Sequence, residues 1–98
     1  MTPLEFRLAA LAAAGQTIPY GVLARDFGLR MADLTAALEA LMEADTAAGT
    51  PLRAALCEAR LTPGLPARGF FDKAAALGHD VTDPAAFAAE HRRLLSAR

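Results

Sequence analysis

The sequence predicts a mainly α-helical fold with a small β element, folded as one domain of 98 residues. Apolar residues recur at the helical period in several segments, and proline or glycine marks the ends of most of them. The most informative segment, Tyr20 to Leu38, predicts two short helices on either side of a turn at Gly28. Ala24 is small enough for steeply crossing helices to touch there, and Gly28 can adopt the positive φ of a tight turn. The segment therefore has the pattern of a helix-turn-helix.

Three helices are predicted in the first half of the chain, over residues 3–14, 20–27 and 31–47. The first begins with a capping box, because Thr2 is followed three positions later by Glu5. A short extended link precedes the second helix, and a Gly-Thr-Pro sequence ends the third. We expect the core to be built on seven of their side chains: Leu8, Leu11, Leu23, Phe27, Leu34, Leu38 and Leu41.

The second half of the chain is less regular. Between residues 52 and 60, propensity favours a helix whereas the position in the chain favours a strand, so both remain open. Residues 63–66 read Pro-Gly-Leu-Pro and predict a turn. A short helix is predicted over 70–77, and a last helix is predicted to run from Pro84 to about Leu95.

The order of these elements is helix, extended link, helix, turn, helix and then a candidate hairpin, which is the order of a winged helix. Residues 52–60 and about 66–71 would form the two strands of the wing. The predicted fold is therefore mainly α with a small β wing, with a winged helix-turn-helix at 1–71 and a C-terminal helical extension at 72–98.

Composition limits the classes of protein that fit. The chain is 54% apolar and 21% charged, which is typical of a globular domain, and its net charge of −1 gives no general attraction to nucleic acid or anionic membrane. The single cysteine excludes an internal disulfide, and a cytoplasmic setting is expected. No apolar run approaches the length of a membrane span, and no secretory signal opens the sequence.

One segment resembles a known family. Residues 17–24 read Thr-Ile-Pro-Tyr-Gly-Val-Leu-Ala, which is similar to the Thr-x-x-Tyr-Gly-x-x-Ala opening of the DNA-binding half of alkylguanine alkyltransferases and alkyltransferase-like proteins. Thr50-Pro-Leu-Arg53 falls where that family has its Pro-Cys/Trp-His-Arg tetrapeptide. Leu52 replaces the nucleophile, Arg53 replaces the histidine, and Ala32 replaces the arginine that takes the place of a flipped base. The resemblance therefore implies a shared DNA-binding scaffold without alkyl transfer.

The charges bear on DNA binding in both directions. The third helix has a formal charge of −4 and no lysine or arginine, which is unfavourable beside phosphates. Basic residues outnumber acidic ones around the predicted wing, where arginines would lie in a minor groove or along phosphates. The alternative is that they are ordinary solvated surface charges, and that Tyr20 staples the second helix rather than donating to a phosphate. The candidate DNA-contacting residues are Tyr20, Arg30, Thr35, Arg53, Arg60 and Arg68.

Other candidate chemistry is weak. Cys57 lies in an apolar run without a neighbouring histidine, and His79 and His91 do not give metal-ligand spacing with it. The glycine-containing loop at 64–69 lacks the Gly-Lys-Ser/Thr of a phosphate loop. We therefore expect no enzyme activity, no metal and no cofactor.

Two functions remain open for such a chain. The first is a small DNA-binding or transcription-associated protein that uses the helix-turn-helix. The second is a protein-interaction or homodimerisation module that uses the acidic third helix or the C-terminal helix. The helix-turn-helix pattern favours DNA by analogy of fold, whereas the acidic third helix favours a protein partner. The stretch at 64–71 is also similar to a pattern in small bacterial proteins, but that pattern implies no function.

Overall fold

The computed structural model describes all 98 residues, as five α-helices, one 3₁₀ helix and two short strands. The helices are α1 (Pro3–Ala14), α2 (Tyr20–Asp26), α3 (Met31–Ala48), α4 (Arg68–Ala76) and α5 (Pro84–Ser96). The strands are β1 (Ile18–Pro19) and β2 (Cys57–Glu58), and the 3₁₀ helix spans Arg53–Leu56 immediately before β2. The three predicted N-terminal helices are confirmed, each within one residue of its expected bounds.

Local sequence signals set the ends of the long helices. At the start of α1, the N–H of Thr2 donates to Glu5 Oε2 over 2.7 Å, and the N–H of Glu5 donates to Thr2 Oγ1 over 3.2 Å. This is the predicted capping box, which satisfies two of the free amide groups at the helix start. At the other end of the chain, Asp83 accepts a hydrogen bond from the N–H of Ala86 and caps α5.

The two strands pair in parallel, with Ile18 opposite Cys57 and Pro19 opposite Glu58. The Thr17 hydroxyl donates to the Glu58 carboxylate over 2.8 Å and reinforces this pairing from the side. The small sheet therefore joins the extended link before α2 to the segment after the 3₁₀ helix.

The predicted hairpin of wing strands is wrong. Residues 52–60 contain the 3₁₀ helix and the two-residue β2, and Arg68 begins a helix where the second wing strand was expected. The reason is that Phe70 and Ala74, four positions apart, both bury on one face of α4, so tertiary packing selects the helical period. One backbone hydrogen bond, from Ala59 N–H to the Leu65 carbonyl over 2.7 Å, closes the loop between β2 and α4.

One core takes side chains from every helix and from the 3₁₀ segment. Five of the seven predicted core leucines and aromatics are buried, whereas Phe27 and Leu41 are half-buried at its edge. The least predictable part of the core is the segment around the 3₁₀ helix, which buries Leu52, Leu56 and Cys57. None of the helices combines the length and the apolar character needed to cross a bilayer.

Candidate nucleic-acid interface

The α2–turn–α3 unit forms at the predicted place. Gly28 has φ +62°, in the left-handed region that favours glycine, and the N–H of Leu29 donates to the Ala24 carbonyl over 2.9 Å across the turn. A Cβ built on Gly28 meets no atom within 4 Å, so this glycine is required by its backbone conformation rather than by a close approach. Ala24 is buried and supplies the small contact between the helices. Local steric rules therefore explain the whole turn.

Tyr20 begins α2 and holds the start of α4 in place. Its hydroxyl oxygen accepts a hydrogen bond from the N–H of Ala67 over 3.0 Å, and its ring is half-buried. Burial raises the pKa of Tyr20 to about 12, so the phenol is neutral at physiological pH. Tyr20 therefore has a structural role, which was one of the two interpretations of the sequence. Its hydrogen bond joins the start of α2 to the start of α4, whereas the sequence suggested a contact within the second helix.

Arg30 and Thr35 lie where the sequence predicted, at the start of α3. The Arg30 side chain is 87% exposed, and its Nε donates to the Asp33 carboxylate over 3.0 Å. Thr35 is exposed one turn further along the helix. Together they place one exposed cation and one exposed hydroxyl at the N-terminal part of α3.

Arg53 has a different environment from the one that the sequence suggested. Its side chain is 24% exposed, and it forms ion pairs of 2.9 Å with both Asp45 and Glu5. Asp45 is the one buried charged residue of the core and also accepts from the backbone N–H of Arg53 over 3.0 Å. Because its donors are engaged inside the fold, Arg53 does not present a free cation to phosphate.

Arg60 and Arg68 are fully accessible. Arg60 lies in the loop between β2 and α4 and forms no ion pair. Arg68 is the first residue of α4, is 92% exposed and lies 3.8 Å from Asp72. The sequence assigned both arginines to the wing. Neither lies on a strand, but both are exposed, as the sequence predicted for the wing.

A cavity of about 200 Å³ opens between α2, α3 and the start of α4. Its walls come from the start of α2, the inner face of α3 and the first turn of α4, and they are mostly apolar. Thr35 and Glu39 supply its polar side chains together with the Tyr20 phenol, while Met42 and Phe70 line it further in. The cavity therefore brings together two of the six candidate contact residues.

The positions that resemble an alkyl-acceptor tetrapeptide are used for structure. The Leu52 side chain is completely buried, and its backbone N–H donates to Nδ1 of His91 over 2.9 Å. Cys57 is equally buried, and burial raises the pKa of its thiol to about 12. A thiol that stays protonated and out of contact with solvent is a poor nucleophile.

The two histidines are drawn together by the fold. The His79 and His91 rings lie 5.9 Å apart, centre to centre, and both pack against Phe87. Nε2 of His79 is 2.8 Å from the Thr46 hydroxyl, and Nδ1 of His91 accepts from Leu52. No group of three or more histidine, cysteine or acidic side chains is arranged to hold a metal ion.

Two residues of this region were not identified from the sequence. Leu61 lies in the loop between β2 and α4 and is 92% exposed. Arg92, on α5, sends its guanidinium to three backbone carbonyls, those of Ala55, Cys57 and Gly64, over 2.6, 3.3 and 2.6 Å. An apolar residue inside a turn signal was the available clue for Leu61. No local pattern distinguishes Arg92 from the neighbouring Arg93.

Comparison of the chain with known protein families, curated proteins and solved structures finds no match. The resemblance to alkyltransferase-like proteins thus rests on the residues of the 17–24 segment and on the positions aligned with it.

Proposed function

We propose that the protein is a small non-enzymatic helix-turn-helix protein, DNA-binding or transcription-associated, that presents α3 to the major groove. The single observation that carries this proposal is the α2–turn–α3 unit, with its buried Ala24 and its left-handed Gly28. In helix-turn-helix proteins the second helix reads base edges while the first crosses the backbone. Here α3 would contribute its N-terminal half, where Arg30 and Thr35 are exposed.

The loop between β2 and α4 takes the place of a β wing in this proposal. It follows the third helix and the 3₁₀ segment, and it ends where Ala67 bonds to Tyr20, the first residue of α2. It therefore lies beside the helix-turn-helix, as a wing does, although one backbone hydrogen bond closes it instead of a strand ladder.

Ion pairs within the protein reduce the repulsion expected between the acidic residues of α3 and the DNA phosphates. Of the four acidic residues on α3, three have a cationic partner: Asp33 with Arg30, Asp45 with Arg53, and Glu43 with Lys73 at 3.7 Å. Glu39 is the one that forms no ion pair, and it is half-buried at the cavity rim. The field that α3 presents to phosphate is consequently weaker than its formal charge indicates.

The cations available for phosphate contacts are then few. Arg60 is exposed and forms no ion pair. Arg68 is exposed but lies 3.8 Å from Asp72, and Arg30 is exposed but pairs with Asp33 over 3.0 Å. A small number of phosphate contacts gives modest, largely sequence-independent affinity. This is the binding that we expect.

A titration on random-sequence duplex DNA across a salt series tests the proposal. Each neutralised phosphate contributes a slope of about −0.9 in log K against log salt, so replacing Arg60 and Arg68 with alanine should flatten the slope by about 1–2 units. Arg93→Ala is the matched control, because Arg93 is an exposed arginine on α5 that pairs with Glu90. A dissociation constant above ~100 μM at low salt, weaker than ordinary non-specific binding, would remove DNA from consideration.

A second function is favoured by a different observation on α1. Both charged side chains of this helix are turned into ion pairs, Glu5 with Arg53 and Arg7 with Asp26. The outer face is left with Phe6, which is 64% exposed, and a row of alanines. An uncharged helix face of this kind suits a protein partner or a second copy of the chain. Light scattering of wild type and Phe6→Lys over a range of concentrations would reveal a dimer held by this face.

A further inference from the structure

The loop between β2 and α4 carries an apolar tip with cations on both sides. We define it as the tip loop, residues 59–67. Leu61 is the most exposed large apolar side chain of the protein, at 92%. Arg60 precedes it directly without an ion-pair partner, and Arg68 follows the end of the loop. A projecting leucine therefore lies between two exposed guanidinium groups, of which Arg60 forms no ion pair and Arg68 lies 3.8 Å from Asp72.

The tip loop is held firmly at its base. The N–H of Ala59 donates to the Leu65 carbonyl, and the N–H of Leu65 donates back to the Thr62 carbonyl over 3.0 Å. From α5, Arg92 reaches the Gly64 carbonyl with Nη1 while its other nitrogens bind carbonyls in the 3₁₀–β2 segment. This half-buried guanidinium forms no ion pair, so its donors serve to fix the backbone. The backbone that carries the exposed Leu61 is therefore fixed by hydrogen bonds.

The tip loop also has a defined position relative to the helix-turn-helix. Ala67, at its end, donates to the Tyr20 hydroxyl at the start of α2. Ala67 and Gly69 line the same cavity as Met31 and Thr35 from the first turns of α3. In some helix-turn-helix proteins one helix lies in the major groove while a second segment of the domain reaches the adjacent minor groove, and the tip loop would be that segment here.

We infer that Leu61 inserts between base pairs from the minor groove of duplex DNA, with Arg60 and Arg68 on the phosphates at either side. The inference rests on the proposed DNA-binding function and assigns to it a specific residue and groove. Proteins that bind the minor groove commonly place apolar side chains between base steps, which unstacks the step and bends the duplex toward the major groove. Because pyrimidine–purine steps deform most easily, TA steps are the expected insertion sites, in preference to stiff A-tracts.

A protein partner fits this surface less well. Leu61 is the only exposed large apolar side chain of the tip loop, and its two neighbours in the chain, Arg60 and Thr62, are polar. Protein interfaces need a broader apolar centre depleted of charge. An intercalating side chain needs one apolar group, a rigid support and cations nearby, and the tip loop provides all three.

The test uses a duplex of about 20 base pairs with a central TA step, 2-aminopurine at that step and a dye at each end. Binding of the wild type should raise the 2-aminopurine fluorescence and the energy transfer between the ends. Leu61→Ala should abolish both changes and weaken binding about tenfold, while Leu61→Phe should retain them. Arg93→Ala is the control, because it truncates an exposed side chain on α5 that pairs with Glu90, and it should change neither signal. A second duplex with an A-tract in place of the TA step should bind more weakly to the wild type, and about equally to Leu61→Ala.

The outcomes separate this inference from the function on which it rests. If the wild type binds with the expected salt dependence but Leu61→Ala matches it in fluorescence, bending and affinity, the insertion is disproved and DNA binding stands. If the wild type does not bind duplex DNA, both are disproved, and loss of a wild-type dimer in Leu61→Ala would then assign the tip loop to a protein contact. Thermal unfolding should be the same for wild type and Leu61→Ala, since the side chain is almost fully solvated.

Discussion

The guanidinium of Arg53 lies 2.9 Å from the buried carboxylate of Asp45 and ties the 3₁₀ helix to the last turn of α3. The same guanidinium reaches Glu5 on α1, so three elements meet at one cation. The N–H of Thr2 and then Arg53 lower the pKa of Glu5 to about 2, so this carboxylate is charged at neutral pH. Arg53, which the sequence suggested as a phosphate contact, instead connects three elements of the fold through its ion pairs.

Arg53→Ala should therefore destabilise the protein without changing the salt dependence of its affinity for DNA. Removing the cation leaves Asp45 buried and unpaired, and we expect a loss of about 2–3 kcal/mol, somewhat below the cost of breaking a fully buried pair because Arg53 keeps some exposure. Urea unfolding measures this loss, with Arg53→Lys expected to recover part of it. The slope of DNA affinity against salt should equal that of the wild type at a temperature where the variant is folded; a slope flattened by a full unit would place Arg53 on phosphate after all.

The third helix should be the most sensitive element to truncation. Leu34 and Leu38 are buried in the core, so replacing either with alanine should cost about 2–5 kcal/mol through lost burial and the cavity that remains. Leu61→Ala is the same chemical change at an exposed position and should cost less than about 0.5 kcal/mol. Losses below that value at both core positions would mean that α3 packs differently from the structure described above.

Cys57 should be unreactive in the folded protein. Its side chain is buried, and its pKa is raised to about 12, so almost no thiolate is present at pH 8. Intact-mass spectrometry after treatment with iodoacetamide should show no adduct in buffer and one adduct in strong denaturant. Incubation with DNA containing alkylated guanine should likewise leave the mass unchanged, and stoichiometric alkyl transfer to Cys57 would contradict the proposed non-enzymatic function.

Stability should fall on mild acidification because of His91. Burial, and then the nearby His79, lower the pKa of His91 below its usual 6.5, against weaker opposing effects of Glu90 and Asp45. Its neutral Nδ1 accepts from Leu52, which a protonated Nδ1 cannot do. The folded state therefore binds this proton less readily than the unfolded chain, so the contribution is complete above about pH 6.5 and is lost as the pH falls through the folded pKa.

Urea unfolding at pH 7.5 and pH 5.5 measures the effect. His91→Gln offers a side-chain oxygen in place of Nδ1 and does not titrate, so the part of the pH dependence due to this residue should disappear. An unchanged pH dependence in His91→Gln would assign the effect to other groups.

The first three helices were predictable because their determinants are local. Thr2 with Glu5, Ala24 with Gly28, and the leucine spacing of α3 each act within a few residues, and each produced the expected element. The region after α3 was not predictable in the same way. Its 3₁₀ helix and β2 are set by partners far away in the chain, namely Ile18, Asp45 and Arg92.

The candidate interface also divides into residues whose environment is set locally and residues whose environment is set by partners distant in the chain. Arg30, Arg60 and Arg68 are exposed as the sequence indicated, because nothing distant in the chain pairs closely with them. Arg53 was misassigned because its partners lie eight and forty-eight positions away. Leu61 escaped notice because an isolated leucine in a turn is indistinguishable in sequence from a buried one. Exposure is a property of the folded chain, and only the fold reveals it.

The parallel pairing of Ile18 with Cys57 has a consequence for the order in which the protein folds. It closes a loop of about 40 residues that contains both helices of the helix-turn-helix, at an entropic cost of about 3 kcal/mol. Contacts across such a separation form late, after the helices they enclose. A chain ending at Ala48 would have every helix of the motif but not the strand that fixes the start of α2. On a ribosome, α2 and α3 would therefore form early but gain their mutual arrangement with the rest of the protein only when β2 has emerged.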